Sequence, residues 1–96
     1  MTARSPEGRV DPDLLLDRVL DDEGLTAGLA EADAMLLVRT LSDRVRTVAA
    51  GSRDMGTAKR KVDELCRQAR QMTAKAAADP QPSATLRRLL AAWPAN

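Results

Sequence analysis

The sequence predicts an all-α fold, a small up-down bundle of three main helices followed by a short C-terminal helix. Three observations lead to this fold class. The chain has 96 residues, a length typical of one domain. Strand-forming residues are scarce, since Ile, Phe and Tyr are absent. Apolar residues recur at spacings of three and four, which is the period of an amphipathic helix.

The chain begins with polar residues 1–10, which include Pro6 and Gly8, and we expect a disordered lead there. A helical domain is predicted over 11–79. Its first helix spans about 12–22, because Asp11 suits the N-cap and Pro12 the first helical position. Gly24 is expected to end this helix in a left-handed cap. The apolar face of the helix comprises Leu15, Leu16, Val19 and Leu20.

The second helix is predicted over about 30–50, with Gly51 as its natural end. Its spacing gives a heptad-like apolar stripe of Ala34, Val38, Leu41, Val45 and Val48. A second apolar face in its first half is formed by Met35, Leu36 and Leu37. A helix that is apolar on two faces is packed on two sides, so we expect it between the first and third helices.

The third helix is predicted over about 55–78, with Ser52 or Asp54 as its cap. It has the most regular pattern in the chain, an apolar stripe of Met55, Ala58, Val62, Leu65, Ala69, Met72 and Ala76. Only a short link separates it from the second helix. Two adjacent stripes joined in this way predict a central antiparallel αα-hairpin.

Residues 80–96 read as a Pro-containing linker and an amphipathic helix at about 84–93, capped by Ser83. One face of this helix carries Leu86, Leu89, Leu90 and Trp93. This face suits a fourth helix that closes the domain's own core, and it suits equally a motif that docks into the groove of a partner. Both interpretations stay open, and the four residues are the predicted partner-binding site.

Charge is distributed unevenly along the chain. Residues 1–50 hold six basic and ten acidic side chains, whereas residues 51–96 hold nine basic and four acidic ones. Either the halves face each other within the fold, or the basic half meets an acidic partner. The residues of the third-helix region that could contact phosphates are Arg53, Arg60, Arg67 and Arg70, although Asp63 and Glu64 interrupt them.

Several function classes are disfavoured by residue types. The chain has no His and a single Cys, Cys66, which removes Ser/His/Asp and Cys/His catalysis and any intramolecular disulfide. The carboxylates of Asp17 and Asp21 fall on the polar face of the first helix, where solvation is expected. We therefore expect no enzyme, no cofactor and no metal site. Because no apolar run reaches about 20 residues and the first residues lack an apolar signal core, we expect a cytoplasmic protein without membrane contact.

The sequence thus favours a non-enzymatic protein–protein interaction or self-association module. Its partner would be another protein or a second copy of the chain, as in a homodimer. The alternative is a nucleic-acid-binding or regulatory protein that uses the basic face of the third helix.

Overall fold

Four helices joined by short connections make up the part of the protein that the structure describes. The computed structural model describes residues 10–93, so the predicted disordered lead lies outside the described residues except for Val10. The predicted all-α bundle with a short C-terminal helix is confirmed, and every helix boundary falls within two residues of its predicted position. The helices are α1 (Pro12–Leu20), α2 (Glu31–Gly51), α3 (Met55–Ala77) and α4 (Pro82–Ala91), with a 3₁₀ turn at Glu23–Thr26.

Side-chain caps explain where two of these helices start. Asp11 accepts a hydrogen bond from the Asp13 backbone N–H at 3.0 Å, and Pro12 occupies the start of α1. Asp54 accepts from the Thr57 N–H at 2.7 Å at the start of α3. That hydrogen bond stabilises the charged carboxylate and lowers the pKa of Asp54. Between the two predicted caps of α3, the structure therefore selects Asp54.

The predicted left-handed cap at Gly24 is wrong. The helix α1 ends at Leu20, and Asp21 closes it in a right-handed conformation. Asp22 then accepts a hydrogen bond from the Gly24 N–H at 3.1 Å, which places Gly24 inside the 3₁₀ turn. The left-handed position lies four residues later, at Gly28 with φ +83°. The carboxylate of Asp22 therefore holds this turn, and Gly24 does not need a left-handed conformation there.

The predicted cap at Ser83 is also wrong. The helix α4 begins at Pro82, whose fixed φ suits the first helical position, so Ser83 already lies in the first turn. Its hydroxyl donates a hydrogen bond of 2.7 Å to the carboxylate of Asp33 near the start of α2. Asp33 is buried, and this contact ties α4 to the central hairpin.

The long helices α2 and α3 form the predicted antiparallel hairpin, and the short helices pack against both of them. The start of α1 lies beside the end of α2, since Val10 and Leu16 line a shallow depression with Ala49. Contacts of α4 lead from Asp33 at the start of α2 to Arg44 further along it. Neighbouring helices therefore alternate in direction, as in an up-down bundle.

The core lies between the four helices and the 3₁₀ turn. It contains every large residue of the predicted α3 stripe except Met55, which is half-buried. The predicted stripe of α2 is wrong in its first half, where Leu37 and Asp33 are buried in place of Val38 and Ala34. The reason is tertiary, because α4 packs on the Asp33 side of this helix.

Candidate interaction surface

A shallow apolar strip, called the groove below, runs along one face of the first half of α2, and all of its lining residues belong to this helix. It has a volume of about 410 Å³ and is lined by Glu31, Ala34, Met35, Val38 and Arg39. The side chain of Met35 is 61% exposed, while Ala34 and Val38 are half-buried. Methionine is flexible and polarizable and is over-represented at binding surfaces.

The groove exists because α1 is too short to cover α2. At 1.5 Å per residue, the nine residues of α1 extend about 13 Å, whereas the 21 residues of α2 extend about 31 Å. After α1 the chain turns toward α3, where Leu25 is buried and its carbonyl accepts a hydrogen bond from the Thr73 hydroxyl. Among residues 10–93, therefore, no helix packs on the side of α2 beyond the end of α1.

A further exposed leucine lies at the end of α1. Leu20 is 66% exposed and follows Leu16 by four residues, so both lie on one side of the helix. Leu16 lines a depression together with Arg46 of α2, which places this side of α1 toward α2. Leu20 thus adds apolar area to the side of the bundle on which α2 is open.

The predicted partner-binding residues of α4 lie in the domain's own core. Leu86 is fully buried, Leu90 is 9% exposed, Trp93 is 7% exposed, and Leu89 is half-buried against the core. The structure therefore supports the alternative in which a fourth helix closes the core. Contact with a partner through these residues would require α4 to leave the long helices, and it stays a prediction.

Polar contacts hold the end of α4 in place. The indole Nε1 of Trp93 donates a hydrogen bond of 2.7 Å to the Gln68 Oε1 in α3. The Arg44 guanidinium of α2 donates to the Trp93 carbonyl at 2.7 Å and lies 4.3 Å from the centre of the indole ring. A cation over an indole ring is attracted by the ring quadrupole. Trp93 is therefore bound to both long helices.

The four arginines of the predicted nucleic-acid surface are exposed, but two of them are in ion pairs. Arg67 forms a two-pronged contact with Glu64, which lies one turn earlier on α3. Arg70 pairs with Asp22 of the 3₁₀-turn cap. The structure gives Arg53 and Arg60 no ion pair within residues 10–93. Two of the four arginines are thus already paired with carboxylates, which leaves less positive charge for phosphates. Nucleic-acid binding through these residues stays a prediction.

A further cleft lies between the end of α1 and α3. It has a volume of about 660 Å³ and is lined by Arg18, Asp21, Asp22, Glu23, Asp63, Cys66 and Arg70. Its lining holds two arginines and four carboxylates, a formal charge of −2, and both arginines are in ion pairs. Arg18 pairs with Asp63 at 2.6 Å, and Asp22 pairs with Arg70. Both pairs join residues 1–50 to residues 51–96. In the Asp22–Arg70 pair the acid comes from the first half, as the charge distribution predicted, whereas in the Arg18–Asp63 pair it comes from the second.

The thiol of Cys66 lies at the wall of this cleft. Burial, the largest influence, raises its pKa, and the nearby carboxylate of Asp22 adds to the effect. A raised pKa lowers the thiolate fraction, and the thiolate is the nucleophile. Within residues 10–93, no three His, Cys, Asp or Glu side chains are grouped so that they could hold a metal ion.

Sequence reasoning missed the groove because it assigned Ala34 and Val38 to the core and Met35 to a covered second face. The signal was nevertheless present in the predicted helix lengths. A first helix over about 12–22 cannot cover a second helix over about 30–50, so part of an apolar helix had to stay open.

Comparisons with known proteins give no assignment. No protein-family model, curated protein or solved structure matches this chain. Among the helices of residues 10–93, none combines the length and the apolar character that crossing a bilayer requires. The chain's own surface therefore carries the functional argument.

Proposed function

We propose that this protein is a non-enzymatic protein–protein interaction module whose contact surface is the first half of α2. The observation that carries the proposal is the exposed apolar groove around Met35, bordered by Glu31 and Arg39. The exposed surface of Met35 is continuous with that of the half-buried Ala34 and Val38, and an apolar centre with a polar rim is the usual arrangement of a protein interaction site.

The rest of the surface supports this choice. In the cleft beside Cys66, both arginines are held in ion pairs, and the pKa of the thiol is raised. The chain contains no His to act as a general base near neutral pH. A cytoplasmic location, which belongs to the proposal, suits the single free thiol of Cys66.

The proposal moves the contact surface from α4 to α2. Leu86, Leu90 and Trp93 have a role inside the domain, and releasing them would expose core residues to water. Met35 and its neighbours are accessible without any rearrangement. Most protein interfaces change little in backbone conformation on binding. We therefore favour the exposed surface of α2 over the buried face of α4.

A site-specific photo-crosslinking experiment tests the proposal. A photoreactive amino acid replaces Met35 in one variant and Gln71 in the control, because Gln71 is exposed on α3. After irradiation in cells that make the protein, we expect one discrete adduct from position 35 and none from position 71. The absence of an adduct at position 35, or identical adducts at both positions, would overturn the proposal.

A further inference from the structure

The charges that border the groove are arranged symmetrically. Glu31 precedes Met35 by four residues, and Arg39 follows it by four. In an α-helix these positions lie about 6 Å before and after Met35 along the axis, and about 40° to either side of it. The groove therefore has an acidic end, an apolar centre and a basic end.

This arrangement is complementary to itself. If a second α2 lies antiparallel across the groove, a two-fold axis at Met35 brings each Glu31 opposite the Arg39 of the other copy. The two ion pairs then lie at equal distances from the two-fold axis, about 6 Å before and after Met35, on opposite sides of the seam. An interface between identical copies related by a two-fold axis requires such self-complementarity.

Neither charge is engaged elsewhere in the described part of the chain. The ion pairs of residues 10–93 involve neither Glu31 nor Arg39, and both residues are exposed. Val38 lies about 60° around the helix from Met35 and adds half-buried apolar surface, and Met35 fills irregular gaps. The groove thus offers apolar contact at its centre and unused charges at its ends.

We infer that the occupant of the groove is a second copy of this chain, with α2 packed antiparallel on α2 about Met35. This inference rests on the proposed function and names its partner. The open stretch of α2 is short, and interfaces below about 1,200 Å² are characteristic of weak complexes. The dimer therefore forms reversibly and depends on protein concentration.

A charge-reversal cycle on the full chain tests the inference by sedimentation equilibrium over a range of protein concentrations. Glu31→Arg alone and Arg39→Glu alone each place like charges opposite each other at both symmetric contacts. We expect each to weaken the dimer about tenfold or more. The double variant E31R/R39E restores opposite charges, and we expect its affinity to return to within about threefold of the original.

Two controls separate this pairing from a general charge effect. Asp17→Arg and Arg87→Glu change the net charge by the same amounts at exposed positions outside the groove. We expect them to alter the dimer affinity by less than about twofold, because charges distant from an exposed contact are largely screened by salt.

A second measurement does not depend on charge. Residues on a two-fold axis face their own copies, so Met35→Cys should form an intermolecular disulfide under mild oxidation with a copper–phenanthroline catalyst and oxygen. Gln71→Cys, on the exposed side of α3, should remain monomeric under the same conditions. Equal cross-linking at both positions would overturn the inference.

The outcomes also separate the inference from the proposed function. A pure chain that stays monomeric at every concentration, or a double reversal that fails to restore the dimer, overturns the inference. If such a chain still gives a photo-adduct with a different protein from position 35, the proposed function stands without the homodimer. A monomeric chain without any adduct overturns both.

Discussion

Replacing Leu86 with alanine should destabilise the whole domain, because this side chain of α4 is fully buried between the long helices. Removing a buried leucine side chain lowers the free energy of unfolding by about 2–5 kcal/mol. A domain of this size has a total stability of about 5–14 kcal/mol. The variant should therefore lose a large share of its stability, and its melting temperature should fall by about 8 °C or more.

The assay is urea unfolding followed by two probes. Fluorescence reports on the segment just after α4 and its contacts with the long helices, since Trp93 is the single Trp and the chain has no Tyr. Circular dichroism reports mainly on the long helices. We expect the two transitions to coincide in the original chain and to shift together in L86A. Leu89→Ala is the control, because Leu89 is half-buried and its truncation should have a smaller effect.

One result would refute this reasoning. If L86A shifted the fluorescence transition and left the circular-dichroism midpoint unchanged, α4 would be an appendage rather than part of the core. In that case the apolar face of α4 would be available to a partner, as the sequence alone also allowed.

Three further predictions concern the interior and the turns. Thr73→Val removes the buried hydrogen bond to the Leu25 carbonyl and should lower the free energy of unfolding by about 1–3 kcal/mol, measured by thermal denaturation. Gly28→Ala should lower the free energy of unfolding by about 1–2 kcal/mol, because φ is +83° at this position. Gly51→Ala at the end of α2 is the control and should not destabilise the protein. Equal effects of the two substitutions in urea unfolding would contradict this reasoning. The buried Cys66 thiol should react with a chromogenic disulfide reagent far more slowly in the native protein than in urea, and an unchanged rate would contradict its burial.

The helices could be predicted closely because their limits are encoded locally. Asp11 and Asp54 supply caps to the helices that follow them, and Pro82 fixes the start of α4. Each of these signals acts within a few residues of itself. The predicted left-handed cap at Gly24 is wrong because the carboxylate of Asp22, which is also a local signal, forms a competing turn.

Which side of a helix is buried depends on contacts that local patterns do not contain. The α2 segment from Met35 to Val38 is apolar all round, so its periodicity does not select one side. The buried side is the one on which α4 packs, where Ser83 binds Asp33 fifty residues away in the sequence. The same limit applies to Trp93, whose partners Gln68 and Arg44 lie on two other helices.

The candidate surface follows from a mismatch of lengths rather than from a motif. An amphipathic α2 of 21 residues is paired with an α1 of nine, and the chain then leaves α2 to bury Leu25 beside α3. The apolar stretch around Met35 therefore stays exposed and is available to a partner. Glu31 and Arg39 flank it so that a second, antiparallel α2 would bring opposite charges together, which is why we infer that the partner is a second copy of the chain.

A concentration series of amide ¹H–¹⁵N NMR spectra tests directly whether two copies of the chain meet at the first half of α2. We expect that raising the concentration of the pure chain shifts amide signals of residues 31–39 and leaves those of residues 86–93 unchanged. Shifts centred on residues 86–93, or spectra identical at every concentration, would contradict it.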